Sequence, residues 1–149
     1  MSAVARVLVL GGYGHFGARI CRALNRGADC ELIVAGRNAD KAAALARDLG
    51  ERHRGMALDD TDSDLAGQIA IAGASIAIHT CGPYQGQGYQ VAEACIAAGA
   101  HHIGLTDGRE FVAGIAALDE RACARGVMLT SGASTVPALS FAVIDEHRL

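Results

Sequence analysis

Between Val7 and Gly17 the chain reads Val-Leu-Val-Leu-Gly-Gly-Tyr-Gly-His-Phe-Gly. An apolar, strand-length run leads straight into Gly-x-Gly-x-x-Gly at Gly12, Gly14 and Gly17. Phe16, Ile20 and Leu24 then recur at the four-residue spacing of one helix face. Strand, glycine turn and helix in that order form the seat of a dinucleotide diphosphate. Gly12 is expected to let the chain turn sharply out of the strand. Gly14 lets backbone approach a phosphate, and Gly17 lets the helix lie against the sheet. Unpaired N–H groups and the positive end of the helix dipole face the anion.

A chain with 19 glycines can carry such a triplet by accident. Its place after a strand and before a helix favours a nucleotide site over a purely structural turn. The rest of the chain supports this. Its 149 residues suit one domain, 1–149, with room for a real core. Half the residues are hydrophobic yet Trp is absent, so that core is built from Ala, Val, Ile and Leu.

Strand-like and helix-like runs alternate to the end. Strands are expected at Val4–Leu10, Glu31–Ala35, Gly55–Leu58, Ala74–Thr80, His102–Leu105 and Val127–Thr130. Asn38 is placed to cap a helix running to Leu49 and stopped by Gly50. Asp62 or Ser63 is expected to cap a short helix bearing Leu65, Ile69 and Ala72. A helix from about Tyr89 to Ala98 closes at Gly99. Phe111, Ile115, Leu118 and Ala122 mark one face of a further helix, closed by Gly126. Pro137 is expected to start the last. Near-continuous apolar strands between amphipathic helices imply an α/β, doubly wound parallel sheet of Rossmann type, helices on both faces, in the order 3-2-1-4-5-6.

The net charge of −3 and the lack of a basic run argue against nucleic acid as a partner. No apolar segment is long enough to span a bilayer and no signal-peptide pattern appears, so no membrane partner is expected and a cytoplasmic location is. The five cysteines are odd in number and lack a Cys-x-x-Cys pair, so they read as reduced thiols. The scattered histidines give no metal-ligand pattern, and no metal is expected.

The choice of nucleotide rests on the end of the second strand, Ala35-Gly36-Arg37-Asn38. An NAD site usually carries Asp or Glu about twenty residues past the glycine turn, for the ribose hydroxyls. Arg37 stands there instead, beside Asn38. A guanidinium clamps a 2′-phosphate with two prongs, so NADP is expected and NAD is less so. Asp59, after the third strand, either meets the adenine edge or is simply solvated in an acidic run.

Strand four delivers His79-Thr80-Cys81-Gly82-Pro83-Tyr84 to the crevice where strand order reverses. Cys81 and Tyr84 are candidate contacts to the pyrophosphate, ribose or nicotinamide. Nothing near Cys81 in sequence would activate it as a nucleophile. Thr106-Asp107-Gly108 and Ser131-Gly132-Ala133-Ser134 are expected along the same edge. Asp107 is better read as a helix cap than as a catalytic acid. Tyr-x-x-x-Lys is absent, and the single lysine, Lys41, lies after strand two. No catalytic proton-transfer group can be named.

Gly11-Gly12-Tyr13-Gly14-His15-Phe16-Gly17, Ala35-Gly36-Arg37-Asn38, Cys81-Gly82-Pro83-Tyr84 with Gly86 and Gly88, and Gly132-Ala133-Ser134-Thr135-Val136-Pro137 together resemble the NADP-binding domain of the saccharopine dehydrogenase-like family. The resemblance covers nearly the whole chain. It implies that Gly12, Tyr13, Gly14, His15, Phe16 and Gly17 hold the pyrophosphate and that Arg37 receives the 2′-phosphate. It implies that Gly82, Pro83 and Tyr84 flank the nicotinamide. It further implies a second domain that carries the substrate pocket and much of a dimer interface, absent from this sequence. The chain is thus expected to be a fragment of an oxidoreductase that moves hydride to or from an imine or carbonyl, with a small-molecule substrate and a homodimer as partners. The other reading is a stand-alone regulatory NAD(P)-sensing domain without catalysis.

Overall fold

β1 (Ala5–Leu10) is buried from Val7 onward and occupies the middle of a parallel sheet, paired to β2 (Cys30–Gly36) on one side and β4 (Ile76–His79) on the other. The computed structural model describes residues 4–83 and 86–147. β3 (Arg54–Ala57) extends the sheet beyond β2, and β5 (His101–Gly104) and β6 (Leu129–Thr130) extend it beyond β4. The resulting order is β3-β2-β1-β4-β5-β6, with every neighbouring pair parallel. This is the doubly wound Rossmann arrangement that the alternating pattern predicts.

The alternation of strand side chains divides the core into two layers. Val7, Val9, Leu32 and Val34 face one side, where they pack with Cys21 of α1 (His15–Gly27) and Ala42, Leu45, Ala46 and Leu49 of α2 (Ala39–Leu49). Leu8, Leu10, Ile33 and Ala35 face the other. There they meet Leu65, Ile69 and Ala72 of α3 (Leu65–Ala72) and Val91, Ala94 and Cys95 of α4 (Gln90–Ala98). Truncating a fully buried member such as Leu8 to alanine costs about 2–5 kcal/mol.

The helix expected through Phe111 to Ala122 is three pieces. α5 (Arg109–Gly114) gives way to a 3-10 turn, Ile115–Leu118, and then to α6 (Asp119–Ala124). Gly114 ends α5 where the Tyr89 hydroxyl fills the space a Cβ would need. The inner face was nonetheless legible, since Leu118 and Ala122 pack with Ala92 and Ile96. The last helix, α7 (Thr135–Glu146), begins at Thr135, before Pro137. Pro137 falls within the first turn, whose N–H groups have no intrahelical acceptor. α3 starts after Asp64 rather than after Asp62 or Ser63. Asp62 still organises that entry, its Oδ1 accepting from the Asp64 amide at 2.8 Å.

Candidate functional site

The carboxyl ends of β1, β2, β3 and β4 open onto one crevice of about 570 Å³. Its walls include Gly11, Tyr13, Gly14, Arg37, Asp59 and Cys81. It lies where strand order reverses, because β1 is flanked by β2 on one side and β4 on the other.

The glycines divide the labour differently from the sequence reading. The residue with left-handed backbone is Gly11, at φ +73°. Gly12, expected to make the sharp turn, does not have positive φ; it is glycine for want of space. A Cβ there would stand 2.8 Å from the Val9 carbonyl oxygen and 2.9 Å from Val34 Cγ1. Gly17 is equally constrained, since its Cβ would collide with the Gly11 carbonyl oxygen. Both residues are buried under the bend rather than on the crevice wall. Gly14 does line the crevice, at the N-cap of α1, and no side chain caps that helix start. Nor does an acidic residue stand in the first turn. The helix end thus keeps its positive potential for an anion.

Tyr13 spans from the bend to the end of β2. Its hydroxyl accepts from the Asn38 amide at 2.9 Å, and its ring occupies the space over Gly36. Asn38 caps α2 as expected, its Oδ1 accepting from the Lys41 amide at 2.9 Å. That cap stands outside the crevice lining. His15 and Phe16 are exposed and also stand outside it, their rings edge to face with centroids 5.4 Å apart. Arg37 is exposed on the crevice wall, and its guanidinium makes no side-chain hydrogen bond or ion pair among the described residues. Asp59 faces the same space. Its Oδ1 accepts from the Thr61 amide and hydroxyl at 3.0 and 2.7 Å, and these bonds, aided by Arg37, hold the carboxyl below its usual range.

Strand four supplies the opposite wall. Cys81, Gly82 and Pro83 line it, and the Gly82–Pro83 peptide is cis. Tyr84 lies outside the described residues. Burial pushes the Cys81 thiol up to about 12, and Asp60 adds to the rise. A thiol so placed stays protonated at neutral pH and is no nucleophile. His79 is buried behind the wall, its Nε2 3.6 Å from Asp60 Oδ2. Burial depresses its protonation, and Asp60 opposes that shift.

The loops after β5 and β6 are not on this crevice, against the sequence expectation. Asp107, Ser131, Gly132, Ala133 and Ser134 line a second groove with Val112 and Phe141. Asp107 does not cap α5: that helix starts one residue later, with Gly108 at the N-cap and no side-chain cap bond. The sequence reading missed Asp60, Thr61, Gly86 and Gln87 as crevice residues. For Asp60 the only signal was the acidic run after β3, which reads equally well as a solvated loop.

Solved structures share this architecture. Apo saccharopine dehydrogenase (L-Glu forming) from Saccharomyces cerevisiae superposes with a TM-score of 0.74 at 22% identity, covering 95% of this chain and 31% of that one. 3-Hydroxyacyl-CoA dehydrogenase type-2 from Mycobacterium avium gives 0.66 at 19% identity, covering 85% and 71%. UDP-N-acetylglucosamine 3-dehydrogenase from Acidithiobacillus ferrooxidans gives 0.58 at 21%, covering 88% and 39%. At these identities the likeness is one of fold. The chain spans about a third of the length of the yeast enzyme. No curated protein matches it in sequence. No helix among the described residues is long and apolar enough to cross a membrane.

The sequence profile of the saccharopine dehydrogenase NADP binding domain matches residues 7–147. That span runs from the strand before the glycine bend to the end of α7. With the sheet order and the uncapped helix at the crevice, it settles the kinship: this chain belongs to the saccharopine dehydrogenase NADP-binding domain family, an oxidoreductase family whose cofactor is NADP.

Proposed function

We propose that this domain binds NADP(H) along the crevice and presents it to a substrate held by a second domain of a larger oxidoreductase. The bend at Gly11–Gly14 takes the diphosphate, with the backbone N–H groups at the start of α1 as donors. Gly12 lies beneath the bend, and Gly17 stands in the first turn of α1. They let the strand, the bend and α1 pack closely enough to form the seat. Arg37 takes the adenosine 2′-phosphate, and Tyr13 holds the loop that carries it. Asp59 lines the adenine half. Cys81, Gly82 and Pro83 border the nicotinamide half, with Tyr84 following them in sequence. Bound nicotinamide supplies hydride chemistry, to or from an imine or carbonyl. The domain's own work is to bind, orient and exclude water.

The observation that carries this reading is the Arg37 guanidinium. It stands on the crevice wall directly after β2, outside any side-chain hydrogen bond or ion pair among the described residues. A cation there fits a 2′-phosphate, whereas an NAD site usually places a carboxylate at this position for the ribose hydroxyls. Calorimetric titration with NADPH and NADH tests it. NADPH is expected to bind more tightly. Arg37→Asp should weaken NADPH by about 10- to 100-fold, the worth of a charged hydrogen-bonded pair, and leave NADH nearly unchanged. Equal losses for both nucleotides would remove Arg37 from the phosphate site.

A further inference from the structure

Asp60, His79 and Cys81 bring three different donors together at the floor of the crevice. Asp60 follows β3 in the chain, His79 ends β4, and Cys81 lies two residues beyond it. A carboxylate oxygen, a ring nitrogen and the Cys81 Sγ all lie within 4.8 Å of one another. Asp60 Oδ2 lies 3.6 Å from His79 Nε2. Zinc bonds of about 2.0–2.3 Å place tetrahedral ligands about 3.3–3.8 Å apart, so closure asks the donor atoms to approach one another by at most about 1.5 Å.

The backbone around the cluster is already fixed. Thr80, between the two strand-four donors, gives both its amide and its hydroxyl to the Leu10 carbonyl, at 3.0 and 2.7 Å. His79 is 5% exposed in its side chain and held on the strand. Asp60 sits inside the turn that Asp59 closes onto Thr61. Donors carried by pinned backbone lose little freedom on closing around an ion.

The donor set also discriminates. Imidazole, thiolate and carboxylate together suit zinc, whereas calcium and magnesium want oxygen ligands throughout. Asp60 and Cys81 both line the crevice, so a remaining coordination position opens into it. We propose that Asp60, His79 and Cys81 form a zinc site at the floor of the crevice, with three protein ligands and a fourth position open to the crevice. Cys81 enters as thiolate and its proton passes to solvent; Asp60 enters as carboxylate and His79 through Nε2.

This site shares Cys81 with the proposed nicotinamide border, but its test uses metal alone and does not depend on the dinucleotide. Untagged protein carrying Cys123→Ser, which removes the exposed thiol, is titrated with cobalt(II) under reducing conditions. The expected result is saturation at one equivalent, with intense tetrahedral visible bands and a sulfur-to-cobalt charge-transfer band, all abolished by zinc(II). Cys81→Ser should lose the charge-transfer band. Asp60→Asn should weaken binding by more than the roughly 10–100-fold that loss of an outer-shell partner costs. Circular dichroism matching the parent certifies each variant as folded; should Cys81→Ser fail, Asp60→Asn in the loop carries the test. Weak octahedral spectra only, a charge-transfer band that survives Cys81→Ser, or unchanged affinity in Asp60→Asn would each overturn the site.

Discussion

The Tyr13 hydroxyl and the Asn38 amide are joined by a 2.9 Å hydrogen bond that ties the glycine bend after β1 to the loop after β2. The tyrosine ring fits because Gly36 has no side chain: a Cβ there would stand 2.5 Å from Tyr13 Cε1. The bond therefore links the two segments proposed to hold the diphosphate and the 2′-phosphate. Asn38 in turn caps α2, so the link reaches the helix behind Arg37.

Tyr13→Phe keeps the ring and removes the acceptor. Its expected cost is about 0.5–1.5 kcal/mol of stability, one ordinary hydrogen bond. NADPH affinity should fall by about three- to tenfold, because the Arg37 loop loses its tether while the guanidinium remains. Thermal melts and NADPH titration of the same preparation measure both. Unchanged affinity together with lowered stability would confine Tyr13 to the fold.

Two glycines of α1 make a matched pair. A Cβ at Gly17 would collide with the Gly11 carbonyl oxygen, whereas one at Gly27 meets nothing within 4 Å. Gly17→Ala must push the helix off the bend, at a cost of about 1–3 kcal/mol, and should abolish nucleotide binding. Gly27→Ala should be neutral or stabilise by up to about 1 kcal/mol, since alanine is the better helix residue. Equal effects from the two would show that the close approach of helix and bend is not required.

How far the sequence revealed the site follows from which forces are local. Sheet order was legible because the strand and helix periodicities alternate and the glycine turn identifies the first crossover. Arg37 was legible because the end of β2 sits at a fixed distance along the chain from the bend. The link from Tyr13 to Asn38 was not, since it joins residues 25 positions apart through a backbone amide that every non-proline residue carries. Asp60 stayed hidden for a related reason: it meets His79 only because the loop after β3 folds back over the sheet. The role of Gly12 was misread because positive φ and lack of space both select glycine, and a sequence shows only the selection.

Acid should unfold this domain through its buried histidines. Burial, aided by neighbouring His79, lowers His102 to about 4, and both its ring nitrogens are buried without a hydrogen-bond partner among the described residues. His53 resists protonation too: its Nδ1 accepts from the Leu32 amide at 3.0 Å, and burial lowers its pKa. Above pH 6.5 both states hold neutral imidazole and nothing is lost. Between pH 6.5 and 4 the unfolded chain takes up the proton and the folded one does not. Stability therefore drops across that window, by up to about 3 kcal/mol from His102 alone. His102→Leu, of similar bulk, should flatten this acid limb. Urea melts from pH 7.5 to 4.5 measure it, and an acid limb as steep in the variant as in the parent would clear His102.

α7 presents Leu139, Phe141, Val143 and Ile144 to solvent, Phe141 at 67% exposure. Phe141 also walls the groove formed with Val112 and the loop after β6. Apolar residues so concentrated on one helix mark a surface that meets another protein surface. We expect this chain to self-associate through α7 as concentration rises. Ile144→Lys should shift the equilibrium toward monomer by about tenfold, the loss of one well-buried anchor being about 1.4 kcal/mol or more. The melting temperature at low concentration should stay the same, because Ile144 is 54% exposed in the single chain. Sedimentation velocity over a hundredfold concentration range measures the shift. A chain that stays monomeric throughout, or a dimer indifferent to Ile144→Lys, would move the contact away from α7.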